Sequence, residues 1–166
     1  MNIDQFWELI AEIHQASRGD MDTKCSLLAN RLRKLPLAEV VSFDAHFTQC
    51  LDRAYAYRLW AAAYIINGGC SDDSFSDFRS TLISMGRQTF ESTLADPNFL
   101  ATIDYDPDVA TYEGFQYVGR KVAQQMNGGK AFKRSQPHPE SPTGEDWDDE
   151  TVAFLFPILA EKYNYE

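Results

Sequence analysis

The stretch "AYAYRLWAAAYIIN", residues 54 to 67, constrains this chain more than any other. It is apolar on nearly every side at helical periodicity. A helix of that kind has no face to give to water, so it belongs inside a fold and not upon it. The rest of the chain must therefore supply helices with one apolar stripe each, to wrap a buried central helix at about 54–67.

Those stripes are present. Ile3, Phe6, Trp7, Ile10 and Ile13 recur at helical spacing before Gly19, and Met21, Cys25, Leu28 and Leu32 do so before Pro36. A third helix starts near Leu37 with Val40, Phe43, Phe47 and Leu51 on one face. It either continues or kinks into the central segment. Phe75, Phe78, Leu82 and Met85 mark another helix, broken or closely packed at Gly86, and "RQTFESTLA" follows as a short one. Asp96-Pro97 and Asp106-Pro107 each read as an N-cap followed by a first-turn proline. The second begins or precedes a helix holding Phe115, Val118 and Val122. No segment sustains strand alternation. The expectation is an all-α fold of about seven or eight helices in a single domain spanning 1–166, with no internal repeat.

A length of 166 residues suits one domain, and such a domain buries roughly two-thirds of its unfolded surface without metal or disulfide. Three widely spaced cysteines, Cys25, Cys50 and Cys70, read as free thiols in a reducing cytoplasm. The N-terminus "MNIDQFWELIAEIH" lacks the basic start of a signal peptide, and "LWAAAYII" is too short to span a bilayer. The expected location is cytoplasmic. A formal net charge of -10 disfavours nucleic acid, whose phosphates would be repelled, and suits either solubility or a basic protein partner.

One region differs in composition. "NGGKAFKRSQPHPESPTGEDWDDE" has three glycines and three prolines, begins basic, and carries six acids between Glu140 and Glu150. It reads as a long loop at about 127–149, mobile in part, before a C-terminal helical element "TVAFLFPILAEKY". Pro157 kinks that element or starts a second short helix. Trp147, set among the acids, is either an exposed anchor for a partner or a staple that packs the loop on the body.

The densest polar stretch is "GGCSDDSFSDFR", residues 68 to 79. Asp72, Asp73 and Asp77 could offer oxygens to a hard cation, but a calcium loop's glycine and terminal glutamate are missing. Ser71, Asp72 or Asp73 more simply caps the following helix. Arg79, at the edge of the apolar face, either snorkels outward, pairs with a carboxylate (Asp72, Asp73, Glu39 or Asp44), or forms with Arg87 a fork for an anion. His14, His46 and His138 are isolated, and no metal-ligand spacing, catalytic pair or phosphate-binding glycine loop occurs. No catalytic residue, metal or cofactor is expected.

"FWELI" and "LWAAAYIINGGCSDDSFSDFRSTLISMGRQTFE" together resemble a widespread uncharacterised bacterial family catalogued as a domain of unknown function. The signature positions are Asp72, Asp73, Phe75, Phe78, Arg79, Gly86 and Arg87. Thr81 stands where the family pattern has a tryptophan, which softens packing there. The resemblance covers residues 1 to 120, and "FPILAEKY" is similar to the family's ending. It implies a stand-alone cytoplasmic domain and brings no activity with it.

Two functions are expected from these residues. The first is a non-enzymatic module that docks a protein partner, a basic one on grounds of charge, with Trp147 and the acidic loop as its contact. The alternative is a small-ligand protein or enzyme with a polar site at residues 70–87, built from Asp72, Asp73, Asp77, Arg79 and Arg87. A structural homo-oligomer is a third class.

Overall fold

The computed structural model describes residues 1–134 and 136–165. Every regular element in it is helical, and the only strand-like pairing among the described residues is one isolated bridge between Ala56 and Thr143. The first three helices are α1 (Ile3–Ser17), α2 (Met21–Leu32) and α3 (Leu37–Arg53). Next come α4 (Tyr57–Asn67), α5 (Asp72–Ser84) and α6 (Arg87–Ala95), then the short α7 (Phe99–Thr102) and α8 (Pro107–Ala110). A 3-10 turn (Phe115–Tyr117) leads into α9 (Val118–Met126), and the short α10 (Val152–Leu155) and α11 (Pro157–Lys162) close the chain. Among the described residues, seven helices of nine residues or more account for the expected number; the others are single turns or little more.

Local chemistry sets the boundaries. Asn2 and Gln5 form a reciprocal capping box at the start of α1, and Asp20 and Asp106 cap α2 and α8 with their carboxylates. Asp106-Pro107 thus opens a helix of its own, while Asp96 accepts from Asn98 N–H in the turn before α7. Gly86 takes φ 101°, which a side chain resists, and this glycine separates α5 from α6. Pro157 starts α11 after a break at Phe156, so the C-terminal element is two short helices and not one kinked helix.

The all-apolar segment begins its helix at Tyr57, three residues later than the sequence suggests. Ala54 ends α3 and Ala56 is extended, and the Tyr55 carbonyl and Tyr57 amide hydrogen-bond to Thr143. Within α4, Leu59, Ala61, Ala62, Ala63, Ile65 and Ile66 are buried. The helix shares the centre with α5, which buries every residue from Phe78 to Ser84 and packs on α1, α3, α4, α6, α8 and the 3-10 turn. Around it, α1, α2, α3 and α9 pack on one another, and α4 packs against α10 and α11. One apolar cluster runs from Phe6 to Ala160. No helix among the described residues is long and apolar enough to cross a membrane, and all three cysteines are free.

A cation sits inside this core. Lys24 of α2 is 2% exposed, and its ammonium donates to Ser84 Oγ at 2.9 Å. Burial lowers its pKa from 10.5 to about 8. Below about pH 8 both folded and unfolded chains hold the proton, and the folded state bears the full cost of the buried charge. From there to 10.5 the unfolded chain keeps a proton that the folded one has released, so stability rises with pH. The interval corresponds to on the order of 3 kcal/mol, at roughly 1.4 kcal/mol per pH unit. Lys24→Met is therefore expected to raise stability at pH 7 by about 2 kcal/mol. Urea denaturation from pH 7 to pH 10 should show that gain shrinking as pH rises.

Candidate functional site

The polar turn that opens α5 is built from the backbone outward. Gly68 adopts the left-handed conformation at φ 64° and ends α4, with Gly69 N–H bonded to Tyr64 O at 2.9 Å. Trp60 Nε1 donates to Cys70 O at 2.9 Å and locks the turn from below. Ser71 is the cap: its Oγ accepts from Ser74 N–H. Asp72 and Asp73 occupy the first turn, exposed, where the helix dipole favours negative charge. Asp77 points elsewhere, its Oδ1 accepting from Gln116 Nε2 at 2.7 Å, and burial pushes its carboxyl upward. The three aspartates do not converge, and no group of acids, histidines and cysteines among the described residues could hold a metal.

Arg79 resolves differently from all three expectations. It is 3% exposed, with its guanidinium carbon 4.6 Å from the Tyr55 ring centre and 4.8 Å from that of Phe75. Nη1 donates to Leu51 O at 3.0 Å, Nη2 to Ser76 Oγ at 2.9 Å and Nε to Phe75 O at 3.3 Å. No carboxylate among the described residues pairs with it. Glu39 is taken by the N-terminal ammonium of Met1, Asp44 stands 3.8 Å from Arg120, and Asp72 and Asp73 face solvent. The anion fork with Arg87 does not form, because the break at Gly86 sends Arg87 to Asp4 on α1, at 2.8 Å. Carbonyl oxygens and ring faces stabilise this cation where a carboxylate was anticipated. It binds α5 to the last turn of α3. A cleft of about 160 Å³ beside it also receives Asp44, Asp52, Arg120 and Arg134, but those charges pair among themselves.

The loop of residues 127–149 is tied to the body just where α3 gives way to α4. Thr143 N–H donates to Tyr55 O, and Thr143 O accepts from Tyr57 N–H, both at 2.9 Å. Arg134 pairs with Asp52, and the His138 ring meets Tyr55 edge-on at 5.5 Å. Trp147 is the staple: Nε1 donates to Tyr57 O at 3.0 Å, and its ring lies 4.9 Å from that of Tyr64. Tyr64 OH reaches Asp149 Oδ2 at 3.1 Å.

The docked loop leaves a groove of about 730 Å³ facing α10 and α11. Its floor holds Trp147, Leu155 and Phe156; its rim holds Glu145, Asp146 and Asp148. Arg58 lies over the Phe156 ring at 5.4 Å and reaches Asp96 at 3.6 Å. On these two short helices Phe154 is 82%, Ile158 58% and Leu155 51% exposed, the three most exposed large apolar side chains among the described residues. Sequence reasoning missed them, since "TVAFLFPIL" reads as core. The overlooked signal is length: two helices this short, broken at a proline, turn only Val152, Phe156, Leu159 and Ala160 inward.

Residues 1–125 match a family described as protein of unknown function (DUF4240), and the chain belongs to that family. No curated protein matches the chain, and no solved structure matches it. The match takes in α1 to α8 and most of α9, and ends before the loop, α10 and α11.

Removing Arg79 strands the Leu51 carbonyl and the two ring faces. Arg79→Leu is expected to cost about 2–4 kcal/mol in urea denaturation, while Asp72→Asn and Asp73→Asn stay within about 0.5 kcal/mol of wild type.

Proposed function

We propose that this chain is a non-enzymatic binding module that docks a basic segment of a protein partner in the groove between the 127–149 loop and α10–α11. Membership of DUF4240 supplies no activity, so the reading rests on the surface itself. The observation that carries it is the exposure of Phe154, Leu155 and Ile158 on the two short helices that border a groove lined by Leu155 together with three acids. Exposed large apolar side chains gathered on one pair of short helices beside charged residues favour a protein contact. An aromatic or aliphatic anchor would fill the floor, and lysines or arginines would meet Glu145, Asp146 and Asp148. A second copy of the chain is a poor occupant of this face, because it would bring another acidic rim and a net charge of -10 against the first.

A native lysate passed over the immobilised chain, with quantitative mass spectrometry, tests the reading. Wild type should enrich one or a few basic proteins. The same proteins should be lost with Phe154→Ser/Ile158→Ser, and separately with Glu145→Gln/Asp146→Asn/Asp148→Asn. Retention by both variants contradicts it, as does enrichment of nothing above a matched acidic control.

A further inference from the structure

Charge is distributed unevenly along this acidic chain, and the fold gathers the exception in one place. Residues 23–38 and 114–139 contain no aspartate or glutamate, yet they carry nine of the fifteen lysines and arginines. All twenty-five acids lie outside them, with only six bases. The first stretch is most of α2 and its exit; the second is the 3-10 turn, α9 and the start of the loop. The two pack together through α2 and α9. Arg33, just past the end of α2, donates from Nη2 to Gln125 Oε1 near the end of α9, at 3.4 Å. Asn127 Nδ2 holds the carbonyl of Lys130 at 3.1 Å, and Lys121 lies one turn before Gln125. The C-terminal ends of α2 and α9 thus lie side by side, with Arg33, Lys34, Lys121 and Lys130 around them.

These cations are unneutralised. Six arginines of the chain reach carboxylates, and Lys162 is held by three carbonyls. Six exposed bases meet no carboxylate among the described residues: Arg18, and from the two acid-free stretches Arg33, Lys34, Lys121, Lys130 and Lys133. The acids on neighbouring elements are spent or at the other end. Glu12 takes Arg31, Glu39 the N-terminal ammonium, Asp44 stands beside Arg120, and Asp52 pairs with Arg134. Asp20, Asp22 and Glu113 belong to the N-terminal ends of α2 and α9. Helix C-termini favour cations, but two of them supply only about one negative charge between them. Four cations exceed that. Apolar surface lies alongside: Met126, in the last turn of α9, is 37% exposed.

We infer that the paired C-terminal ends of α2 and α9 bind an acidic segment of a protein partner. A short run of aspartates or glutamates meets Arg33, Lys34, Lys121 and Lys130, and an apolar side chain of the segment covers Met126, whose flexible thioether adapts to it. A longer polyanion, a nucleic-acid strand or an anionic bilayer, would run past four cations onto a body that holds all the acids and a net charge of -10. This face shares no helix with the groove beside α10 and α11, and its test touches no groove residue.

Fluorescence anisotropy of the full chain in physiological salt tests the proposal. The probes are a labelled peptide of six glutamates around a central leucine, its all-glutamine counterpart, and an oligothymidylate of equal charge. The glutamate peptide should bind at least about tenfold more tightly than either, and more weakly as sodium chloride is raised. Lys121→Glu/Lys130→Glu, at two exposed positions and with folding checked by the melting transition, should weaken that binding at least about tenfold. Arg18→Glu/Arg87→Glu, of the same net charge, should change it less than about threefold. Equal loss in both variants, no loss in either, or no binding at millimolar peptide overturns the proposal. So does tighter binding of the oligothymidylate or of phosphatidylglycerol vesicles, or self-association of the chain that Lys121→Glu/Lys130→Glu abolishes.

Discussion

The clamp that Arg79 places on the end of α3 sets the course of the chain beyond it. Arg79 holds the last-turn carbonyl of Leu51 while its planar group lies against the rings of Tyr55 and Phe75. That arrangement leaves Ala54 to Ala56 outside any helix, with the Tyr55 carbonyl and Tyr57 amide turned toward Thr143. The 127–149 loop docks on those two groups, and Trp147 adds its bond to the carbonyl of Tyr57. Without the break there would be nothing for the loop to pair with, and the acidic rim would have no fixed place beside α10 and α11. A cation spent on carbonyls thereby positions a surface some distance from itself.

Polar groups inside α5 serve a related purpose. Ser80, Thr81 and Ser84 are small enough to let neighbouring helices approach from several directions, and Arg79 reaches the α3 terminus. The helix is central because it is crowded on all sides, not because it is the most apolar. The cost appears in the hydroxyls of Ser80 and Thr81, which have no partner, and in Lys24, which has only Ser84.

Much of this is legible in the residues. Periodicity and caps give the long helices and their order, and Ser71 caps α5 as its type and place suggest. The three-residue break before α4 is not legible, because it depends on Arg79 taking the Leu51 carbonyl and on Thr143, nearly ninety positions away. A carboxylate partner for Arg79 is the ordinary expectation for a buried arginine, and carbonyl partners leave no mark in a sequence. Lys24 escapes notice for a similar reason: between Thr23 and Cys25, in a helix of mixed polarity, a lysine looks solvated. Hydropathy also marks α4 as central while hiding α5, whose buried serines and threonine score as polar.

Amide hydrogen exchange in Arg79→Lys tests most directly that the Arg79 clamp holds the loop in place. Lysine keeps the charge and loses the planar fork. Exchange of the Tyr57 and Thr143 amides should accelerate well beyond wild type while amides in the middle of α1 and α2 keep their protection. Unchanged exchange at Tyr57 and Thr143 in a folded Arg79→Lys chain would contradict the account.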